Sequence, residues 1–473
     1  MHSNRNIFIL SKTISLFILC IISLVCGVYI FASIEYGNTY YSIFILPFSY
    51  TVGLTFSGKI LSLLRKSVTS LILVIGYFVR MVVYPLIFCM GEYHSFFLST
   101  PNSFDVIKAV LLLSLEWFAI VITANVCVQN TDCYYEEVSI EPQQYNIGYL
   151  KVMVCILFVF LIAVYEMIPA LKTAYLFLPT ADFKQLSSLT WNSDTIVQRG
   201  TSSRYLFTLF GFIWPIVRAV LPSLCISQIY KKHGENTFSL LLSTACLLIP
   251  ALFLGEDNIG PLLGALIGLI VILRLYKRRG KYVISLFVAV FGLLAFTIIT
   301  TKLLTLQAWR GASGVASIAQ MVNAYFPGVD NIAFAFSING TNRLQTLFFD
   351  LYSTIPFRET LFGLKGDNLT DLFAQTLSTN GQIVPWGYQI AHYTTIILSP
   401  FVTAIFTKIA FTAERKSKLT SDFWKYFINM YLSVFIPICF SCYSFTTFLR
   451  TLISVLLPVI IIIRLGNRKI VRK

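Results

Sequence analysis

Apolar runs of about 20 residues, the length that crosses a bilayer as a helix, recur from one end of this chain to the other. They fall near residues 10–32, 40–57, 69–91, 105–128, 149–168, 205–230, 237–255, 259–274, 282–305, 387–410, 425–446 and 448–464. Runs of this length predict membrane helices rather than strands or soluble core segments. Composition agrees: 56% of the residues are hydrophobic and 12% are charged, with a mean hydropathy of +0.76, whereas soluble domains carry roughly a quarter charged residues. The 41 Phe and 25 Tyr suit side chains that meet acyl tails and head groups. No linker rich in Gly, Ser or Pro divides the chain. The expected fold is all-α, a single polytopic membrane domain over 1–473 with about 12 transmembrane helices.

A net charge of +15 raises the question of nucleic acid, and the position of the charge answers it. With the N-terminus inside, the basic clusters Lys59/Arg65/Lys66, Lys231/Lys232, Lys277/Arg278/Arg279/Lys281, Arg415/Lys416/Lys418 and Arg468/Lys469/Arg472/Lys473 all fall on the cytoplasmic side. That is the positive-inside bias, so the basicity sets topology and its natural partners are membrane lipids with anionic head groups, not nucleic acid. Both termini are expected in the cytoplasm. One segment predicted inside, 129–148, is acidic, which the rule tolerates because acids contribute little to orientation. The first apolar run is too long for the apolar part of a signal peptide and is expected to remain as an anchor.

Two connections are long enough for chemistry, and both are predicted outside: 169–204 and 306–386. The second is neither charged nor of low complexity, and within it Leu344, Leu347, Phe348 and Leu351 recur at helical spacing. The expectation is a partly helical extracytoplasmic loop, with a helix on the membrane surface or plugging a cavity. The ten Cys lie in or beside spans, or in the cytoplasmic loop 129–148, which argues against structural disulfides and Cys-based metal sites. There is no GxxxxGKS/T phosphate loop, no HExxH, no zinc-ligand spacing and no DxD-type acidic pair in a soluble loop. No metal and no cofactor are expected.

Ionisable groups inside spans are costly, and each is a functional hypothesis. Arg80 and Glu116 lie near the middles of the third and fourth spans, antiparallel neighbours whose midpoints share a depth. They form a buried ion pair, or Arg80 faces a cavity and holds a phosphate. Arg218 in the sixth span poses the same choice. Outside, Arg199, Arg204, Arg310, Arg343 and Arg358 run against the inside bias, and guanidinium groups grip phosphate bidentately. Outer acids include Asp330 and Asp350. His392 lies about one and a half turns into the tenth span, where packing is the commoner role for a lone histidine.

The segments Tyr325-Phe326-Pro327-Gly328-Val329-Asp330-Asn331 and Asn380-Gly381-Gln382-Ile383-Val384-Pro385-Trp386-Gly387, with FVRMVVYPL around Arg80, resemble the Wzy family of oligosaccharide repeat-unit polymerases of O-antigen, capsule and exopolysaccharide clusters. The layout is similar too: many spans, Arg in spans and outer loops, and a large late outer loop. The chain departs from the family in lacking the Arg-x10-Gly motif of some members. The resemblance implies a metal-independent glycosyltransferase of a bacterial cytoplasmic membrane. It implies a polyprenyl-pyrophosphate-linked oligosaccharide, typically on undecaprenyl, as donor and a second lipid-linked repeat unit as acceptor. A flippase and a chain-length regulator of the same pathway are the implied protein partners. Arg80, Arg218 and Arg310 are then the pyrophosphate holders, and His392, Asp330 or Glu116 is the base. A flippase for the same lipid-linked sugars and an O-antigen-ligase-like transferase remain alternatives.

Overall fold

A computed structural model describes residues 2–56, 67–93, 101–127, 148–177, 201–251, 253–255, 259–277, 283–284, 314–337, 343–355 and 385–466. They are helical almost throughout. The helices are α1 (His2–Ser33), α2 (Ile45–Phe56), α3 (Val68–Met90), α4 (Ser103–Cys127), α5 (Gly148–Met167), α6 (Pro169–Ala174), α7 (Thr201–His233), α8 (Thr237–Ala251) and α9 (Ile259–Leu275). After them come α10 (Val315–Tyr325), α11 (Val329–Ser337), α12 (Arg343–Thr354), α13 (Trp386–Tyr393), α14 (Ser399–Lys418), α15 (Phe423–Cys442) and α16 (Phe445–Leu465). One short antiparallel pair joins Tyr175–Phe177 to Phe253–Gly255, with Leu176 opposite Leu254.

Six helices among the described residues are long and apolar enough to cross a membrane: α3, α4, α16, and the stretches Leu150–Met167, Leu209–His233 and Phe423–Cys442. Their faces carry apolar side chains that water would not tolerate in such number. On α5, Val152, Ile156 and Val159 are each more than half exposed, a row at helical spacing that fits contact with lipid. Phe17–Ser33, Tyr41–Phe56, Thr237–Leu248 and Gly264–Leu275 are shorter apolar helices. The chain is a membrane-embedded helical protein.

Local chemistry places the helix ends. The Ser67 hydroxyl caps α3 by accepting from the Ser70 N–H, and the Ser444 hydroxyl caps α16 by accepting from the Thr447 N–H. Asp422 does the same for α15, accepting from the Trp424 and Lys425 N–H groups. Gly234, at φ +66, takes the left-handed turn that ends α7. Inside α15, Pro437 has no N–H to offer the Ser433 carbonyl, and the Thr69 hydroxyl of α3 donates to that carbonyl instead, at 3.0 Å. α3 widens into a π turn at Val79–Val83, a local unwinding frequently found at functional sites.

One expectation changes. The apolar run 387–410 is not one continuous helix: it stops at Tyr393, where Thr394 leaves helical geometry at φ −118 and ψ −104, and restarts at Ser399. Hydropathy averages over such a break. The late segment 306–386 is partly helical as expected, the stripe of Leu344, Leu347, Phe348 and Leu351 lying on α12, and its α10 and α11 are inserted among the other helices. Val329, Asn331, Ile332, Ala333 and Ala335 are all fully buried, and α11 packs along α4 while α10 packs on the end of α3. Gly91 makes that second approach possible, since a β-carbon there would lie 3.0 Å from the Ala316 backbone. The run 282–305 falls almost entirely outside the described residues, as do 178–200 and 356–384.

Candidate functional site

A fully buried pair of opposite charges sits where α3, α4, α13 and the α10–α11 connection meet. Arg80, in the π turn, is fully buried. Its Nε donates to the Pro327 carbonyl at 2.9 Å and its Nη1 to the Phe440 carbonyl at 2.8 Å. Both acceptors follow from local sequence. Phe440 lies in the last turn of α15, where carbonyls lack helical partners, and Pro327 lies between two helices. The remaining nitrogen, Nη2, has no hydrogen-bond partner among the described residues.

Glu116 faces it from α4, fully buried, with Oε2 3.9 Å from Arg80 Nη1. Neither carboxylate oxygen accepts a hydrogen bond among the described residues. The carboxylate lies against Gly387 at the start of α13, where a β-carbon would come within 1.7 Å of Oε1. Any larger residue there would have to displace the carboxylate. Two ions taken out of water each lose several kcal/mol and recover it only where hydrogen bonds complete their shells. Glu116 faces only Arg80 and Tyr77 and has no backbone N–H to complete its shell among the described residues, so its burial is incompletely offset.

Aromatic packing fixes the surroundings. Tyr77 lies under the Arg80 guanidinium, 5.3 Å from the ring centroid. Trp117, next to Glu116, stacks between Tyr77 and Tyr50 at 5.4 and 4.9 Å, and its indole N–H donates to the Tyr50 carbonyl. Trp386 sits among Phe406, Phe440, Phe445 and Phe448 and donates to the Thr403 hydroxyl at 3.1 Å.

The inserted connection is itself tied down. The Asn323 side chain accepts from the Gly328 N–H at 2.9 Å and donates to Asn331 at 3.0 Å, while Gly328 lies against the Tyr84 ring. Asp330 is buried and accepts from the Tyr40 hydroxyl at 2.7 Å. Burial pushes the Tyr325 phenol up to about 12.

The structure thus brings Arg80, Glu116 and the Pro327–Asp330 stretch to one place. His392 is five residues beyond Gly387, about 7.5 Å along α13, where it stacks on Tyr388. Beside it lies a polar knot that sequence reasoning does not single out: Asp350 of α12 accepts from Gln389, at 2.8 Å, and from Tyr393, and Gln389 also meets Thr446. Arg218 lies apart, on α7, with its guanidinium 4.7 Å from the Trp214 ring centroid and its carbonyl against Gly264 of α9. Arg310 and Arg358 lie outside the described residues. No group of His, Cys, Asp and Glu that could hold a metal ion occurs among the described residues.

Comparison of the chain with protein-family models, with curated proteins and with solved structures finds no match. The chemistry of the site is therefore argued from its own residues. A fixed cation with one arm unspent, beside a carboxylate that accepts no hydrogen bond, can steady a departing phosphate and take a proton from a hydroxyl.

Proposed function

We propose that this chain polymerises oligosaccharide repeat units carried on polyprenyl pyrophosphate, at the outer face of a bacterial cytoplasmic membrane. One observation carries the reading: Arg80 and Glu116 are buried together at mid-helix depth, incompletely satisfied, beneath a segment inserted from the late part of the chain. The reading takes the chain as about 12 spans with both termini in the cytoplasm and with 169–204 and 306–386 outside.

In the reaction, the bond between the donor's anomeric carbon and its pyrophosphate oxygen breaks as the acceptor hydroxyl oxygen bonds to that carbon. The hydroxyl proton passes to Glu116, and the polyprenyl pyrophosphate departs with its negative charge toward Arg80. Arg218 and Arg310 are further phosphate holders in this scheme, and Asp330 and His392 are the other candidate bases. Asp330 already accepts from Tyr40, which leaves Glu116 the less encumbered carboxylate.

The test is the purified protein with a defined lipid-linked oligosaccharide. A ladder of longer glycans is the expected product. Movement of the substrate across the bilayer without lengthening would make the protein a flippase, and transfer only to a different acceptor would make it a ligase-like transferase.

A further inference from the structure

The connection that reaches Arg80 enters and leaves the helix bundle on one side. Its arms, α10 with 11 residues and α11 with 9, are about 16 and 13 Å long, and neither can cross a bilayer core of about 30 Å. α10 runs down α3, from Ala316 beside Gly91 toward Pro327 on Arg80. α11 then climbs α4 until Phe336 faces the Lys108 ammonium. From Arg80 to Gly91 and from Glu116 to Lys108 the two flanking helices rise about 16 and 12 Å, as far as the arms descend and climb. The connection is a re-entrant hairpin with Pro327 and Gly328 at its tip.

Its side chains do not suit a permanent filling. Ser317, Gln320, Asn323, Asp330 and Asn331 are all buried, at depths where polar groups are costly. Gln320 Oε1 accepts no hydrogen bond among the described residues, so it keeps the cost of leaving water. The tip leaves helical geometry at membrane depth, which is tolerated where backbone is enclosed by protein or lines a wet cavity. Asn323 bonds both Gly328 and Asn331. Those bonds lie within the hairpin and keep its shape wherever it sits. A polar, self-braced hairpin suits an element that is wetted part of the time.

Arg80 and Glu116 have no exposure, so a reactant meets them only after something moves. α3 and α4 are joined by the Tyr77–Trp117 stack, and α13 is anchored by Trp386 among four Phe rings. The hairpin, which is no span, can withdraw and leave those helices in place. We infer that α10–α11 is a movable plug, which shifts toward the α3–α4 connection to open the Arg80–Glu116 site and returns to close it. The bonds from Arg80 to Pro327 and from Tyr40 to Asp330 fasten the closed position. What enters rests on the polymerase reading; the motion is measured without substrate.

Ala333→Cys puts a thiol on α11 and Ala319→Cys puts one on α10, both at buried positions, and either variant alone suffices. The full-length protein in nanodiscs is treated with a membrane-impermeant maleimide, and labelling is read by peptide mass. Cys439, buried in α15, is the fixed reference. The expected result is labelling on the hairpin while Cys439 stays unlabelled. Tyr40→Phe, which removes the bond to Asp330, should speed it about tenfold, as for loss of one hydrogen bond. Hairpin labelling no faster than that of Cys439 overturns the inference, and so does a rate that Tyr40→Phe leaves unchanged. Hairpin and Cys439 reacting in step also overturns it, since that is general unfolding. A hairpin that opens in a protein making no polymer retires the polymerase reading and leaves the plug standing.

Discussion

Two buried pairs of nearly equal separation behave as opposites. Arg80 and Glu116 approach to 3.9 Å, and Lys418 and Glu414 to 3.7 Å. Glu414 is completed by other partners: its Oε2 accepts from the Ser67 hydroxyl at 2.6 Å and its Oε1 from the Val68 N–H at 2.9 Å. It therefore binds the end of α14 to the positive end of α3. Glu116 has no backbone N–H or serine hydroxyl to complete it among the described residues and faces only the guanidinium and the Tyr77 hydroxyl. The distance between charges does not distinguish the two pairs; the state of the carboxylate's remaining lone pairs does, and on the proposed function it separates a strut from a reactive site.

The same substitution at both pairs tests this contrast. Glu116→Gln is expected to lower turnover about a thousandfold, within the range of a lost general base, while Arg80 keeps its two carbonyls and the protein accumulates normally. Polymer made at a normal rate by that variant would remove Glu116 from the chemistry. Glu414→Gln should do the reverse, costing about 3 kcal/mol of stability because an amide donor then faces other donors and Lys418 loses its counter-charge. Turnover per folded molecule should hold, and a thermal midpoint equal to wild type would show that this carboxylate is no strut.

A smaller effect is expected at Gly387. Gly387→Ala places a methyl against Glu116 Oε1, and overpacking of this kind costs about 1–3 kcal/mol. Denaturation and turnover should both suffer, and a variant with wild-type values of each would mean that the carboxylate moves aside freely.

The smallest effect is a pH dependence at Lys418, beyond the apolar stretch of α14. Burial lowers its pKa, and the nearby Glu414 partly offsets this. A base whose folded pKa is depressed binds fewer protons folded than unfolded, so stability rises with pH between the lowered value and the ordinary 10.5. Lys418→Met should flatten that rise, and an unchanged slope would assign it to another group.

Much of this contrast is readable in the chain. Arg80 and Glu116 stand out because each interrupts an apolar run, and antiparallel neighbours place their midpoints together. The spans at 69–91, 105–128, 149–168, 205–230 and 425–446 match helices for the same reason, since length and hydropathy are local properties. Glu414 is hidden among Arg415, Lys416 and Lys418, where it reads as one more charge beside a basic cluster. Its role depends on Ser67, which is distant in sequence. Gly387 is read only as the end of a resembling segment and Tyr77 gives no signal, because their meaning lies in which side chain stands opposite. The burial of α10 and α11 is likewise invisible: Asn323, Asp330 and Asn331 make that stretch look solvated until their partners are known.

The wide turn at Val79–Val83 has a consequence in terms of chain length. A π turn contains one residue more than an even α-helix would need. Removing a single residue there would let α3 wind regularly while the stretches on either side kept the directions they now face, because the wide turn is where the extra residue is absorbed. Tyr77 would stay against Trp117 and Tyr84 against Gly328, while Arg80, inside the turn, would be redirected away from the Pro327 and Phe440 carbonyls. The helix could survive a deletion that the site could not, so this site is specified by a count of residues as well as by their kinds.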